Sequence, residues 1–135
     1  MVLVFPDTAL VFLLKQIVQP KLTYHLFRNN LTPSADTTLA MIAEANYSGY
    51  APQDVLAAAW TFTQVTQHVG QLSAMDLFFV NTSSSSFSVY GYYVTDATGT
   101  VLVAAARFDG APLVIPVGKF VQITPMLGSF SGLQC

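Results

Sequence analysis

The chain has 135 residues, of which 53% are hydrophobic and only 9% charged, with a net charge of −2; soluble domains typically carry about 25% charged residues. Its length suits one domain with its own core, and a lone cysteine, Cys135, excludes an internal disulfide and a thiolate metal cluster. The cations Lys15, Lys21, Arg28, Arg107 and Lys119 stand singly and form no basic stripe, so nucleic acid is not an expected partner.

The opening apolar stretch, Met1 to Leu14, is broken by Pro6 and Asp7 and falls short of the roughly 18–20 residues that cross a bilayer. It has no basic n-region and no small-x-small cleavage site, so it does not read as a secretory signal. Pro6-Asp7-Thr8 predicts a helix from Ala9 to before Pro20, capped by Asp7 or Thr8. Leu10, Val11, Phe12, Leu13, Leu14, Ile17 and Val18 occupy nearly every side of it. Such a helix needs cover all round, from the domain's own core or from a neighbouring subunit. A strand across Val2–Phe5 followed by a shorter helix is the other reading. Residues 1–20 are thus expected to form an apolar helix or arm, and residues 21–135 a β domain.

Lys21 to Arg28 alternates, with Leu22, Tyr24, Leu26 and Arg28 on one face and Thr23, His25 and Phe27 on the other, which predicts a strand stopped by Asn29-Asn30-Leu31-Thr32-Pro33. Ser34-Ala35-Asp36-Thr37 caps a short helical turn reaching Glu44, and residues 46–52 read as a loop shaped by packed tyrosines. Trp60 to Thr66 alternates aromatic or branched residues with polar ones after an alanine run. Leu72–Val80 and Phe87–Thr95 are further strands, separated by the polar Asn81–Ser86 loop. Asp96-Ala97-Thr98-Gly99 joins the latter to a strand over Thr100–Phe108, as a type I turn closed by a left-handed glycine. Asp109-Gly110 and Val117-Gly118 are turns flanking Leu113–Pro116, and Lys119–Thr124 is the last strand. Six or seven short strands at spacings of about 8–12 residues predict a mainly β, single-domain antiparallel β-sandwich or jelly-roll with a short N-terminal helix or arm.

Chemistry-bearing patterns are scarce. His25 and His68 lack the spacing that holds a metal, and Ser83–Ser86 lacks the G-x-S-x-G context of a hydrolase nucleophile. Gly70, Gly99, Gly110 and Gly118 never build a phosphate-cradling loop. The acidic residues mostly stand beside turns, where carboxylates accept from nearby backbone N–H groups. No catalytic, cofactor-binding or metal-binding residues are expected, and no cofactor. Aromatics are the abundant resource: Tyr47, Tyr50, Trp60, Tyr90, Tyr92 and Tyr93 suit either a glycan platform or a protein interface, with packing in the core as the alternative.

Three stretches, Leu26-Phe27-Arg28-Asn29-Asn30-Leu31-Thr32-Pro33, Glu44-Ala45-Asn46-Tyr47-Ser48-Gly49-Tyr50-Ala51 and Val89-Tyr90-Gly91-Tyr92-Tyr93-Val94-Thr95-Asp96, resemble motifs of a loose group of small proteins encoded among tailed-bacteriophage structural genes. The resemblance spans roughly residues 22–125 and rests on turn and packing motifs. It implies a virion component, assembled in the host cytoplasm: a capsid cement or decoration protein, or alternatively a tail- or fibre-associated module contacting host glycans. The expected partners are copies of the chain itself, a trimer being one form, and a major capsid protein or other virion subunits, with no membrane. The interface candidates are Leu10, Phe12, Leu13, Leu14 and Ile17 in the N-terminal segment, and Tyr47, Tyr50, Tyr90, Tyr92 and Tyr93 in the β domain.

Overall fold

A computed structural model describes residues 7–66 and 69–128. The expected Val2–Phe5 strand, His68 and Cys135 lie outside these residues. Helix α1 (Asp7–Ile17) leads into β1 (Lys21–Phe27), a 3-10 turn (Leu39–Met41), β2 (Gln53–Leu56) and a second 3-10 turn (Ala57–Ala59). There follow β3 (Thr61–Thr66), β4 (Val69–Ser73), β5 (Leu77–Val80), β6 (Phe87–Val89) and β7 (Gly91–Thr95). The chain continues through β8 (Leu102–Arg107), β9 (Leu113–Ile115), β10 (Phe120–Ile123) and β11 (Met126–Gly128). The domain is mainly β, with several antiparallel sheets and one short N-terminal helix; among the described residues no sheet closes into a barrel or sandwich.

The largest sheet runs β2-β1-β7-β8, with β1 at its centre. The period-2 pattern of β1 holds as far as Leu26: Leu22, Tyr24 and Leu26 are buried and Lys21, Thr23 and His25 half-buried, while Phe27, on the latter face, is also buried. β2 covers one edge of β1 from Lys21↔Leu56 to Tyr24↔Gln53, and β7 covers the other from Thr23↔Thr95 to Phe27↔Gly91. Smaller sheets pair β10 with β5, β6 with β9, and β11 with β4 and β3. The inward residues of β1 join Val55, Leu72, Phe79, Val89, Val94, Ile115, Val121 and Ile123 in one core cluster, so strands from all the sheets share it. Each such side chain contributes about 1.5–3 kcal/mol on full burial. Leu14 and Val18 belong to the same cluster, which joins the N-terminal segment to the β domain's core.

Two expected strands are cut by long-range partners, and a third is shortened by a local one. Leu72–Val80 is interrupted between β4 and β5, where Ala74 N–H donates to Pro125 O and Asp76 accepts from Gln122 and Thr124 side chains at 2.6 Å each. Phe87–Thr95 is interrupted at Tyr90, whose N–H donates to Phe27 O while its carbonyl accepts from Phe108 N–H. There the chain passes from the β6–β9 sheet to the large one. The strand expected from Thr100 starts at Leu102, because Asp96 Oδ1 takes the N–H groups of both Thr100 and Val101. Gly99 closes that turn with φ +74°, as expected. Between Ser34 and Glu44 the helical reading shrinks to the 3-10 turn.

The polar loop after β5 is organised by Asn81, which is fully buried. Its Nδ2 donates to Ser85 O at 2.9 Å and to Ile115 O at 2.8 Å, and its Oδ1 accepts from the Ser83 N–H and hydroxyl. Its backbone N–H donates to Lys119 O, and its carbonyl accepts from Gly118 N–H. Every polar atom of this buried side chain is satisfied, the condition under which burial of an amide is tolerated.

Candidate functional site

Two features stand out on the large sheet and its surroundings: a polar cluster and an exposed apolar surface. The cluster forms because Phe27 pairs with Glu44 in an isolated antiparallel bridge, which sets residue 44 alongside β1 where β2 has ended. His25 Nδ1 lies 2.6 Å from Glu44 Oε2, and its Nε2 lies 2.9 Å from Thr95 Oγ1. With Nδ1–H donating to the carboxylate, Nε2 of the neutral ring accepts the Thr95 hydroxyl. Tyr50 OH donates to the same Glu44 oxygen at 2.7 Å and accepts from Leu26 N–H at 3.1 Å. The His25 ring stacks on Tyr93 with centroids 4.5 Å apart.

The order carboxylate, imidazole, hydroxyl is that of a nucleophilic triad. A nucleophile must reach its substrate, however, and Thr95 is only 2% exposed, between β1 and β8. Its hydroxyl is positioned to brace the sheet. The cluster fastens the 44–50 segment to β1 and β7, and burial raises the tyrosine pKa values accordingly. Burial, with the bond to Glu44 second, pushes the Tyr50 phenol far up; burial, then the Glu44 charge, pushes Tyr93 up to about 12. Among the described residues no group of three His, Cys, Asp or Glu is placed to hold a metal ion, and no helix is long and apolar enough to cross a membrane.

The aromatic candidates are largely used inside the molecule. Tyr47 and Tyr93 are buried, Tyr92 stacks on Tyr24 at 5.9 Å, and Tyr50 packs edge-on to Tyr47. Tyr90 is half-buried beneath the Arg107 guanidinium, 5.3 Å from its ring centroid. Arg107 also donates to Asn30 Oδ1 and Leu31 O, tying the Asn29–Pro33 turn to the hairpin. On α1, Leu14 is buried, whereas Phe12, Leu13 and Ile17 are exposed; the side chain of Leu10 lies outside the described set.

Sequence reasoning missed a second exposed apolar face. On the β5–β10 sheet, Phe78 and Phe120 meet edge to face at 5.2 Å, and Val80 pairs with Phe120; all three are exposed. A period-2 reading of Leu77–Val80 alone does not tell which face is inside, since both are apolar. A third apolar feature is a groove of about 550 Å³ between β2 with its following 3-10 turn and the β4–β5 connection, walled by Leu56 and Met75. No family model, curated protein or solved structure matches the chain.

Proposed function

We propose that this chain is a non-enzymatic structural module of a tailed-bacteriophage virion, most specifically a capsid cement or decoration protein. It self-associates and stabilises the shell by binding capsid subunits. The observation that carries the association is the exposed apolar surface: fourteen large hydrophobic residues are exposed among the described residues, on a chain with only twelve charged ones. Where such residues meet, as Phe78, Val80 and Phe120 do, an apolar surface poorly diluted by charge is characteristic of faces that partners cover. The phage assignment rests on the three motifs resembling small tailed-phage structural proteins. Arg107 bridges two of those motifs, donating to Asn30 of one and lying over the Tyr90 ring of the other, and the Glu and final Tyr of the remaining motif meet in the Glu44–Tyr50 hydrogen bond.

Packing of the short sheets as a β-sandwich or jelly-roll is part of this reading, supported by the single core that strands from all the sheets share. Many copies on a repeating shell would add weak contacts through multivalency. The alternative, a glycan-contacting tail or fibre module, has less support, because most of the tyrosines it would use are turned to internal packing. Imaging of intact particles tests the proposal at once: density for this chain on the outside of the shell is the expected result. A chain that is monomeric in solution by light scattering and absent from every particle would sink it.

A further inference from the structure

Resting on the self-association just proposed, we infer that the contact is head-to-tail: the outward face of α1 of one copy docks in the Leu56–Met75 groove of the next. The two surfaces are complementary in chemistry. The helix presents Phe12, 61% exposed, with Leu13 and Ile17, and Lys15 follows Phe12 by three positions, on the adjoining strip of the helix. The groove offers Ala58, Ala59 and Ala74 as small lining residues between Leu56 and Met75, the latter 87% exposed. Flexible methionine walls adapt to an inserted aromatic ring.

Charge decides between the two symmetries open to such a face. Two carboxylates line the groove, and they differ. Asp54 is already matched by Lys21 at 2.8 Å, which together with the Thr23 hydroxyl holds its carboxyl below the usual range. Asp76 accepts only from the neutral side chains of Gln122 and Thr124, so its negative charge has no cation beside it among the described residues. Lys15, for its part, makes no salt bridge among those residues. Pairing α1 with α1 across a two-fold axis leaves the charge of Asp76 unmatched, whereas α1 in the groove sets Lys15 against Asp76. A contact between two different surfaces of one chain repeats, closing into a ring when the rotation allows and otherwise growing a filament.

The test mixes two single-cysteine chains, both carrying Cys135→Ser, one with Phe12→Cys and the other with Met75→Cys, under mild oxidation. Circular dichroism and thermal unfolding verify that each is folded. The expected result is a covalent dimer in the mixture and in neither chain alone. A dimer formed by the Phe12→Cys chain alone, or an oligomer by light scattering with no mixed disulfide, overturns the head-to-tail contact while leaving self-association standing. A wild-type chain that stays monomeric at every concentration removes both. Charge reversal gives a second readout: Lys15→Glu weakens association about threefold to fivefold, as expected for one exposed ion pair, and Asp76→Lys in the same chain restores it. Equal weakening in the single and double variants contradicts the pairing.

Discussion

Gly91 shows how much one missing side chain can decide. It opens β7 opposite Arg107 of β8 and Phe27 of β1, in the middle of the large sheet. A Cβ there would run into the backbone oxygen of Ala106 and come within 2.6 Å of the Phe27 ring, which is itself fully buried. Neither neighbour can yield: one is part of the ladder and the other part of the interior. Gly91→Ala is therefore expected to lower stability by about 1–3 kcal/mol, the range for overpacking a well-filled site. The shift should appear as a lower urea midpoint with an unchanged slope. The position was visible in the sequence only as a glycine among tyrosines. The close approach that requires it depends on Phe27, 64 residues earlier, and no local pattern reports such a distance.

At the scale of elements, the tyrosines and the segments they hold form one unit sensitive to alkali. Tyr24 is raised by burial and then by Tyr92, Tyr50 by burial and its bond to Glu44, and Tyr93 by burial to about 12. A phenol whose folded pKa exceeds its unfolded value of about 10 contributes stability that is complete below pH 10 and falls as pH rises towards the folded pKa. Unfolding in alkali should begin near pH 10, and the absorbance of these tyrosinates should appear together with loss of the circular dichroism signal. Tyrosinate absorbance from all six tyrosines rising ahead of that loss would contradict the account. How much of this was legible follows the reach of each interaction. Alternation in Lys21–Phe27 set Leu22, Tyr24 and Leu26 together on the face that is buried, because period 2 is a local property, but it gave no sign that Phe27 on the other face is buried as well. The Asp96–Gly99 turn was legible for the same reason. The breaks at residues 74–76 and at Tyr90 were not, since they answer to Pro125, Phe27 and Phe108. Nor was the Glu44–His25–Thr95 chain, whose members come from three distant segments.

For the whole molecule, the central matter is where a nearly all-round apolar helix finds its cover, since the sequence left core and neighbour equally open. The structure divides α1: Leu14 and Val18 beyond its end enter the common core, while Phe12, Leu13 and Ile17 face outward. Deleting residues 1–18 is consequently a poor probe of assembly, because it removes core and outward surface together, and a lost interaction would merely report a damaged fold. Point changes separate the two. Leu14→Ala should cost about 2–5 kcal/mol of folding stability, through lost burial and the cavity left behind. Phe12→Ser with Ile17→Ser should shift folding stability by no more than about 0.5 kcal/mol per site, as is usual for exposed positions without special contacts. The same double change should lower the weight-average mass in concentration-dependent light scattering. Urea unfolding and light scattering on the two variants then give opposite patterns if α1 both anchors the domain and presents an association surface. If Phe12→Ser with Ile17→Ser leaves the mass unchanged, the helix serves the core alone, and the association surface must be sought at Phe78, Val80 and Phe120 on the β5–β10 sheet.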